Sequence, residues 1–479
     1  MGYWYKNGNS NLSDGFMPPK LLHDAFYRAL QDFPILAGHM KTDNYSRMYV
    51  DVNKDGLNMP VYTDTTCDMD YSDMEKIGFN LTKVPIDLYG TYGVPVPSKL
   101  SNGKIKPANI RILRFKNNSG VLVYSSILHC VTDGYGYVHF MNCWAEVARW
   151  MQQQQQQSND VDNKMQLTEH EYIHDRAIPN GLRSNKTTAL SASTVNSILN
   201  DSNVISRWIA GLSPEKRGWL IKKREKGNDS TICFFHIPSN RIEDLRSSVQ
   251  KHAPLDVKYT INDILTTYLG IVVAQAKQNA KAGKESKSHA AAISKLFGRR
   301  NDETPAEFDV LININMRSHV NHPDTKNYMG NMLIGKSTGF PYDLIRKETT
   351  DEVLAPLAQK IHELASEPHG EYYAQRGFLL DNRPDNLAYN KFFGRKGKKG
   401  MLITSNHSRF AHYEVDFGSG APAIVRHVPL TVGTYAYIMP TNPKLGGYEV
   451  ELKLTPDEMD SVIQNTNWMN LVDSYERCS

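Results

Sequence analysis

The chain has 479 residues, 40% of them hydrophobic, and a net charge of +4. That length can bury a sizeable core and predicts two domains. The composition is that of a water-soluble globular protein, and no apolar run is long enough to span a membrane. The small net charge gives no reason to expect nucleic acid as a partner, though it allows a local basic patch for an anionic small ligand. Five scattered cysteines (Cys67, Cys130, Cys143, Cys233, Cys478) lack zinc-ligand spacing, and no apolar signal-peptide core opens the chain. Reduced thiols in a cytoplasmic protein are the simplest reading.

Leu22, Phe26, Leu30 and Phe33 share one face of a helix predicted over residues 19–33, which Pro34 stops. Residues 40–110 alternate short β-like runs with turns rich in Asp, Asn, Gly and Pro. Residues 111–128 then read as a hairpin around Asn117-Asn118-Ser119-Gly120. Its second strand, with Val121, Leu122, Val123, Tyr124, Ile127 and Leu128, is apolar and β-branched enough to be buried. The chain then passes through His129-Cys130-Val131-Thr132-Asp133-Gly134 into a helix. Tyr137, Phe140, Met141, Trp144, Val147, Ala148 and Met151 recur there at helical spacing. In α/β folds, chemistry collects where a core strand turns into a helix. Gly134 suits a tight turn, and Asp133 is close enough to fix it. Taken alone, the motif reads equally well as a core histidine at a strand terminus.

The glutamine run at 152–157 reads as a low-complexity surface loop. Polar residues 180–228 read as a crossover, with a helix near 214–223. A strand is predicted at 231–237 and a helix at 242–251. A stronger helix follows, with Thr260 as N-cap, Asp263 near its positive end, and Ile264, Leu265, Tyr268, Leu269 and Val272 as its buried stripe. Residues 281–303 read as a charged, exposed insertion. A core strand at 310–316 runs into Arg317, and Gly330-Asn331 suits a turn with positive φ. Strands at 402–405 and 413–415 flank a second motif, Asp416-Phe417-Gly418-Ser419-Gly420. Residues 434–440 and 448–454 form a hairpin, and Thr455-Pro456-Asp457-Glu458 is a capping box before the last helix.

The two motifs, in this order and this far apart, resemble those of the BAHD-type acyl-CoA-dependent acyltransferases. That family comprises plant enzymes and fungal relatives such as the trichothecene acetyltransferases, with H-x-x-x-D-G mid-chain and D-F-G-W-G near the end. Smaller segments agree in order. Phe33-Pro34-Ile35-Leu36-Ala37-Gly38-His39 is similar to F-P-x-L-A-G-R, with His39 replacing the arginine. Thr260-Ile261-Asn262-Asp263 is similar to T-x-N-D. Asn315-Met316-Arg317 and Tyr328-Met329-Gly330-Asn331 resemble D-x-R and Y-F-G-N, and Thr404-Ser405-Asn406 resembles T-S-W. Ser419 and Asn406 stand where plant members carry tryptophan. The family normally has a further strand and loop before the first helix. Only a short aromatic stretch precedes it here, so the N-terminus reads as shortened.

The resemblance implies an α/β protein of the two-domain CoA-dependent (chloramphenicol acetyltransferase-like) acyltransferase fold, with mixed sheets, helices and a channel between the domains. The implied division is an N-terminal domain over 1–180, a crossover over 181–228 and a C-terminal domain over 229–479. It also implies acyl-CoA as co-substrate, no permanently bound cofactor, no metal, a small-molecule alcohol or, second, amine as acceptor, and a monomer. Acyl transfer requires the acceptor to lose a proton as it attacks, and a neutral imidazole can take it near neutral pH. His129 is therefore the candidate general base for direct attack on the thioester. Asp133 has two readings: orienting His129 as in hydrolase triads, or, as in the family, holding the turn against Arg317. Gly134, Asp416, Phe417, Gly418 and Gly420 are implied to shape the fold. Thr404, Ser405 and Asn406 are implied near the acceptor pocket. Lys396, Lys398 and Lys399 are candidates for the CoA phosphates, although a solvated loop is the plainer reading. The alternatives are an amide-forming enzyme like the condensation domains, which usually carry a second histidine where Leu128 stands, and a silent binding protein on the same scaffold.

Overall fold

The computed structural model describes residues 1–8, 15–42, 48–53, 55–80, 105–156, 230–287, 306–320, 323–375, 401–427 and 434–478. In chain order these hold β1 (Gly2–Lys6), α1 (Pro19–Leu30), β2 (His39–Thr42), β3 (Met48–Asp51), β4 (Val61–Thr66), α2 (Tyr71–Lys76), β5 (Ala108–Arg114), β6 (Gly120–Ile127) and α3 (Gly134–Gln156). After the expected crossover, which lies outside the described residues, come β7 (Thr231–Ile237), α4 (Ser239–Gln250), α5 (Ile261–Lys287), β8 (Glu307–Asn315), β9 (Leu333–Pro341), α6 (Tyr342–Ile345) and α7 (Asp351–Ser366). The chain ends with β10 (Met401–Asn406), β11 (Ile424–Arg426), β12 (Tyr435–Pro440), β13 (Tyr448–Leu454), α8 (Pro456–Ile463), α9 (Thr466–Leu471) and β14 (Ser474–Cys478).

The first sheet has the order β11-β1-β6-β5-β4. The aromatic stretch at the start of the chain is one of its interior strands, so the expectation that no strand precedes α1 is corrected. Alternation explains the strand: Tyr3 and Tyr5 enter the core beneath α1 and α3, while Trp4 enters a smaller core beside α2. On the α1/α3 face, Phe26, Phe140 and Trp144 pack edge-on, and the Trp144 indole N–H donates to the Leu22 carbonyl at 3.0 Å. The hairpin turn is as expected, with Asn117 and Asn118 both at φ +54°.

The second sheet has the order β14-β7-β13-β12-β10-β8-β9, mixed because β10 runs parallel to both β8 and β12. Helices α5 and α7 cover one face, burying Leu265, Leu269, Leu354 and Leu357 against Val310, Ile312, Ala436, Ile438, Val450 and Leu452. Asp263 and Thr260 cap α5 reciprocally: the Thr260 N–H donates to the Asp263 carboxylate (2.8 Å) and the Asp263 N–H to the Thr260 hydroxyl (3.2 Å). At the far end of the chain, the Thr455 N–H donates to Glu458, completing that side of the predicted capping box.

Four local expectations are corrected. Gln152–156 continue α3 instead of looping out, because glutamine is a good helix former once a helix runs into it. Lys281–Lys287 likewise belong to α5. His412–Glu414 is a 3-10 turn, not a strand. The last helix is followed by β14, an edge strand that is mostly exposed until Cys478, which is buried. The two halves of the chain are also stitched together. β11 comes from the C-terminal half but pairs with β1, and Val415, Phe417 and Val425 belong to the first core.

Candidate active site

His129 lies in the turn between β6 and α3 and is exposed. Its carbonyl accepts from the Asn331 side chain at 2.7 Å. Among the described residues nothing hydrogen-bonds its imidazole, so the ring is unencumbered.

Asp133 is the N-terminal anchor of α3, its Oδ1 accepting the Gly136 N–H at 3.0 Å. It is only 4% exposed, and Arg317 only 5%. The guanidinium grips the carboxylate with two bonds, Nη1 to Oδ2 at 2.7 Å and Nη2 to Oδ1 at 3.1 Å, while the Met332 N–H donates to Oδ2 at 3.0 Å. Four N–H groups thus use the carboxylate's acceptor capacity, and none remains to orient His129. Arg317 also donates to the Tyr328 and Gly330 carbonyls (Nη2, 2.8 Å each) and lies 4.6 Å from the Tyr135 ring centre. The Thr132 hydroxyl donates to the Met329 carbonyl at 2.6 Å. The segments 315–317 and 328–332 therefore clamp the histidine turn from the other half of the chain.

Two glycines are required here by crowding. A Cβ on Gly136 would stand 2.3 Å from the Met329 carbonyl oxygen, and one on Gly134 would stand 3.1 Å from both the His407 and Phe410 rings. Neither Gly330 nor Asn331 has a positive φ, which corrects that expectation. Gly330 instead leaves room for the Tyr328 phenol, whose hydroxyl oxygen stands 2.4 Å from where a Cβ on Gly330 would be.

The second motif lies at the opposite end of α3. The Asp416 carboxylate accepts the N–H groups of Gly418, Ser419 and Gly420 at 2.8–3.0 Å, folding the loop around itself. Gly418 and Gly420 both take φ +94°, where glycine is favoured. Phe417 packs on Trp144 at 4.8 Å, the Tyr5 hydroxyl donates to the Val415 carbonyl at 2.6 Å, and Arg149 donates to the Asp416 carbonyl. The loop meets α3 at Gln152, about 27 Å along the helix from Gly134. Its glycines and carboxylate are thus kept apart from His129.

Of the three strand residues, Thr404 donates its hydroxyl to the Leu311 carbonyl at 3.2 Å, and the Asn406 amide donates to Asn262 at 2.7 Å. Ser405 points to the other sheet face and bonds the His407 ring at 3.1 Å. Lys396, Lys398 and Lys399 lie outside the described residues.

A buried polar cluster beside Gly134 carried no mark in the sequence reading. His407 and His427 have ring centres 5.4 Å apart, and His427 stacks on Tyr437 at 3.8 Å. Glu451, on β13, is 5% exposed, and burial pushes its carboxyl up to about 8. Burial also holds His427 down to about 3 and keeps His407 and His412 well below the usual imidazole range. The available signal was the alternation of Glu449, Glu451 and Lys453 in β13. It reads as a solvent-facing side, but Glu451 and Lys453 are both buried. Among the described residues, no group of three His, Cys, Asp or Glu side chains is placed to hold a metal ion.

Two mixed α/β layers meeting at a clamped H-x-x-x-D-G turn are the architecture of the CoA-dependent acyltransferases. TRI101 of F. sporotrichioides, solved with coenzyme A and T-2, has the same fold: TM-score 0.71, 14% identity, 99% of this chain and 94% of that one. Vinorine synthase aligns with a TM-score of 0.57 at 16% identity, over 99% and 90% of the two chains. A condensation domain of the calcium-dependent antibiotic synthetase aligns with a TM-score of 0.52 at 12% identity, over 98% and 89%. No curated protein matches by sequence. The chain belongs to the Transferase family, the BAHD-type acyltransferases, whose model matches residues 2–469. It is an acyltransferase, and no described helix is long and apolar enough to cross a membrane.

Proposed function

We propose that this enzyme moves an acyl group from a CoA thioester to a hydroxyl of a small-molecule acceptor, with His129 as general base. The acceptor attacks the thioester directly in a ternary complex. His129 takes the hydroxyl proton and then returns it to the departing CoA thiolate, so no covalent enzyme intermediate forms. The observation that carries this reading is the division of labour at the turn. Asp133 is fully occupied by Arg317 and two backbone N–H groups, which leaves the His129 ring exposed and free to accept a proton. The hydroxyl acceptor is favoured because similar folds are solved with coenzyme A together with deoxynivalenol or T-2 mycotoxin. The role of Ser405 is read as lining the acceptor side, since its hydroxyl lies on the His407 face of the sheet.

The test is thiol release from a panel of acetyl-, malonyl-, medium-chain and aromatic acyl-CoAs with alcohol and amine acceptors, run beside His129→Ala. Acceptor-dependent release should fall by about 10²–10⁴ in the variant. Equal release by wild type and a folded variant would remove His129 from the reaction.

A further inference from the structure

The face of the second sheet turned away from α5 and α7 carries a polar row running away from the histidine turn. Strand pairing sets Ser405 beside Tyr437 and Tyr437 beside Glu451. All three lie on the face opposite α5 and α7, where Leu311, Met401, Ile403 and Tyr435 also lie. Two strand spacings separate Ser405 from Glu451, about 10 Å. Over this row sit His407, against Gly134, and His427, stacked on Tyr437. Ser405, Tyr435 and Tyr437 are half-buried, so the row opens at that side, while Glu451 and His407 are buried.

Among the described residues, three polar atoms in this row have no hydrogen-bond partner: His407 Nδ1, His427 Nδ1 and Glu451 Oε2. The last two face each other at 3.2 Å without an aligned hydrogen bond. Nearby Arg426 is engaged elsewhere, with Glu449 (2.8 Å) and Glu476 (2.7 Å). Buried polar atoms left open in one cluster call for an absent partner. A carboxylate among neutral imidazoles selects a partner that brings hydrogen-bond donors and positive charge.

Resting on the reading of the previous section, we propose that the acceptor carries a cationic nitrogen, an ammonium of an amino alcohol, that pairs with Glu451 while its hydroxyl reaches His129. The row then measures the acceptor, with the two functional groups separated by roughly its length. An incoming ammonium restores the charge that burial otherwise suppresses on Glu451, whose carboxyl stands at about 8. The other groups facing it stay constant from about pH 6 to about pH 9. His407, His412 and His427 are neutral, the Met1 amine is lowered to about 5 by burial, the Tyr435 and Tyr437 phenols are pushed up by burial, and Arg426 keeps its charge. Cation affinity should therefore climb with pH toward 8 and level off above it.

The test uses the full chain with CoA and two shape-matched probes. 7-Aminoheptan-1-ol carries a primary ammonium that stays protonated across this range and sets it roughly the length of the row from its hydroxyl, and heptane-1,7-diol is its neutral counterpart. Calorimetry should show at least a tenfold preference for the amino alcohol at pH 8. That preference should shrink toward pH 6 in wild type and fall to about one in Glu451→Gln. The pH series needs no variant, so it decides the matter even if Glu451→Gln misfolds. Equal binding of the two probes, or a preference that is indifferent to pH, would overturn the proposal. A preference with this pH profile, but no acyl transfer to any hydroxyl, would support the pocket and reject the hydroxyl-acceptor reading.

Discussion

Four N–H groups converge on the Asp133 carboxylate while none reaches the His129 ring, and the two residues should respond to mutation in opposite ways. Removing the exposed His129 ring should leave the unfolding free energy within about 0.5 kcal/mol of wild type while abolishing most activity. Asp133→Ala should lose about 3–5 kcal/mol in urea unfolding, because it strands a buried guanidinium. Arg317→Lys should recover little of that pair, since a point-charge ammonium cannot span the carboxylate and the two carbonyls together. An Asp133→Ala enzyme as stable as wild type would refute the clamp. Nothing in the spacing of residues 133 and 317 marks them as neighbours, 184 positions apart; only the resemblance to a family placed them together as candidates. The His407–Glu451 cluster was invisible for a different reason. Burial of a polar strand face depends on what covers it, and strand alternation records only that one side is polar.

The elements themselves were largely legible, because periodicity over a dozen residues reflects burial directly. β6, β7, β13, α1 and α5 appear within a few residues of where the pattern put them. The failures share a cause: each element is defined by its neighbours. β1 is five residues long and gains its identity from pairing on both sides, with β6 and with β11. The glutamines are helical because α3 carries them. The same dependence reverses an ordinary rule at Gly136. Gly→Ala in a helix usually stabilises by about 0.5–1 kcal/mol, and Gly283→Ala in α5, with nothing within 4 Å of the new Cβ, should do so. Gly136→Ala should instead destabilise by about 1–3 kcal/mol, because its Cβ meets the Met329 carbonyl. Paired thermal melts decide this, and the same sign for both would show that the turn yields.

Across the whole molecule, the buried imidazoles make stability depend on pH. His407, His412 and His427 have pKa values below their unfolded value, so on acidification the unfolded chain takes up protons that the folded one refuses. Their contribution is complete above about pH 6.5 and is lost as the pH falls below it, by about 1.4 kcal/mol per pH unit for each fully buried ring. Glu451 works the other way. Its raised pKa favours the folded state at low pH, and that benefit is lost as the pH rises toward about 8. The Met1 amine, lowered to about 5, offsets this loss over the upper part of the range. Stability should therefore fall steeply below about pH 6.5 and stay nearly level between about pH 6.5 and 8. His412→Asn should remove one ring's share of the acid slope, and an unchanged slope would show that the ring is solvated.

The pairing of Trp4 with Ile424 also has a consequence in time. On a ribosome, β1 can dock on β6 early, yet its other edge stays open until nearly the whole chain has emerged, on the order of a minute at ordinary elongation rates. Throughout that interval, a bare row of backbone donors and acceptors between two aromatic faces is offered to any passing strand. A nascent chain interrupted before residue 424 never closes that edge, and the strand it then finds belongs to another copy.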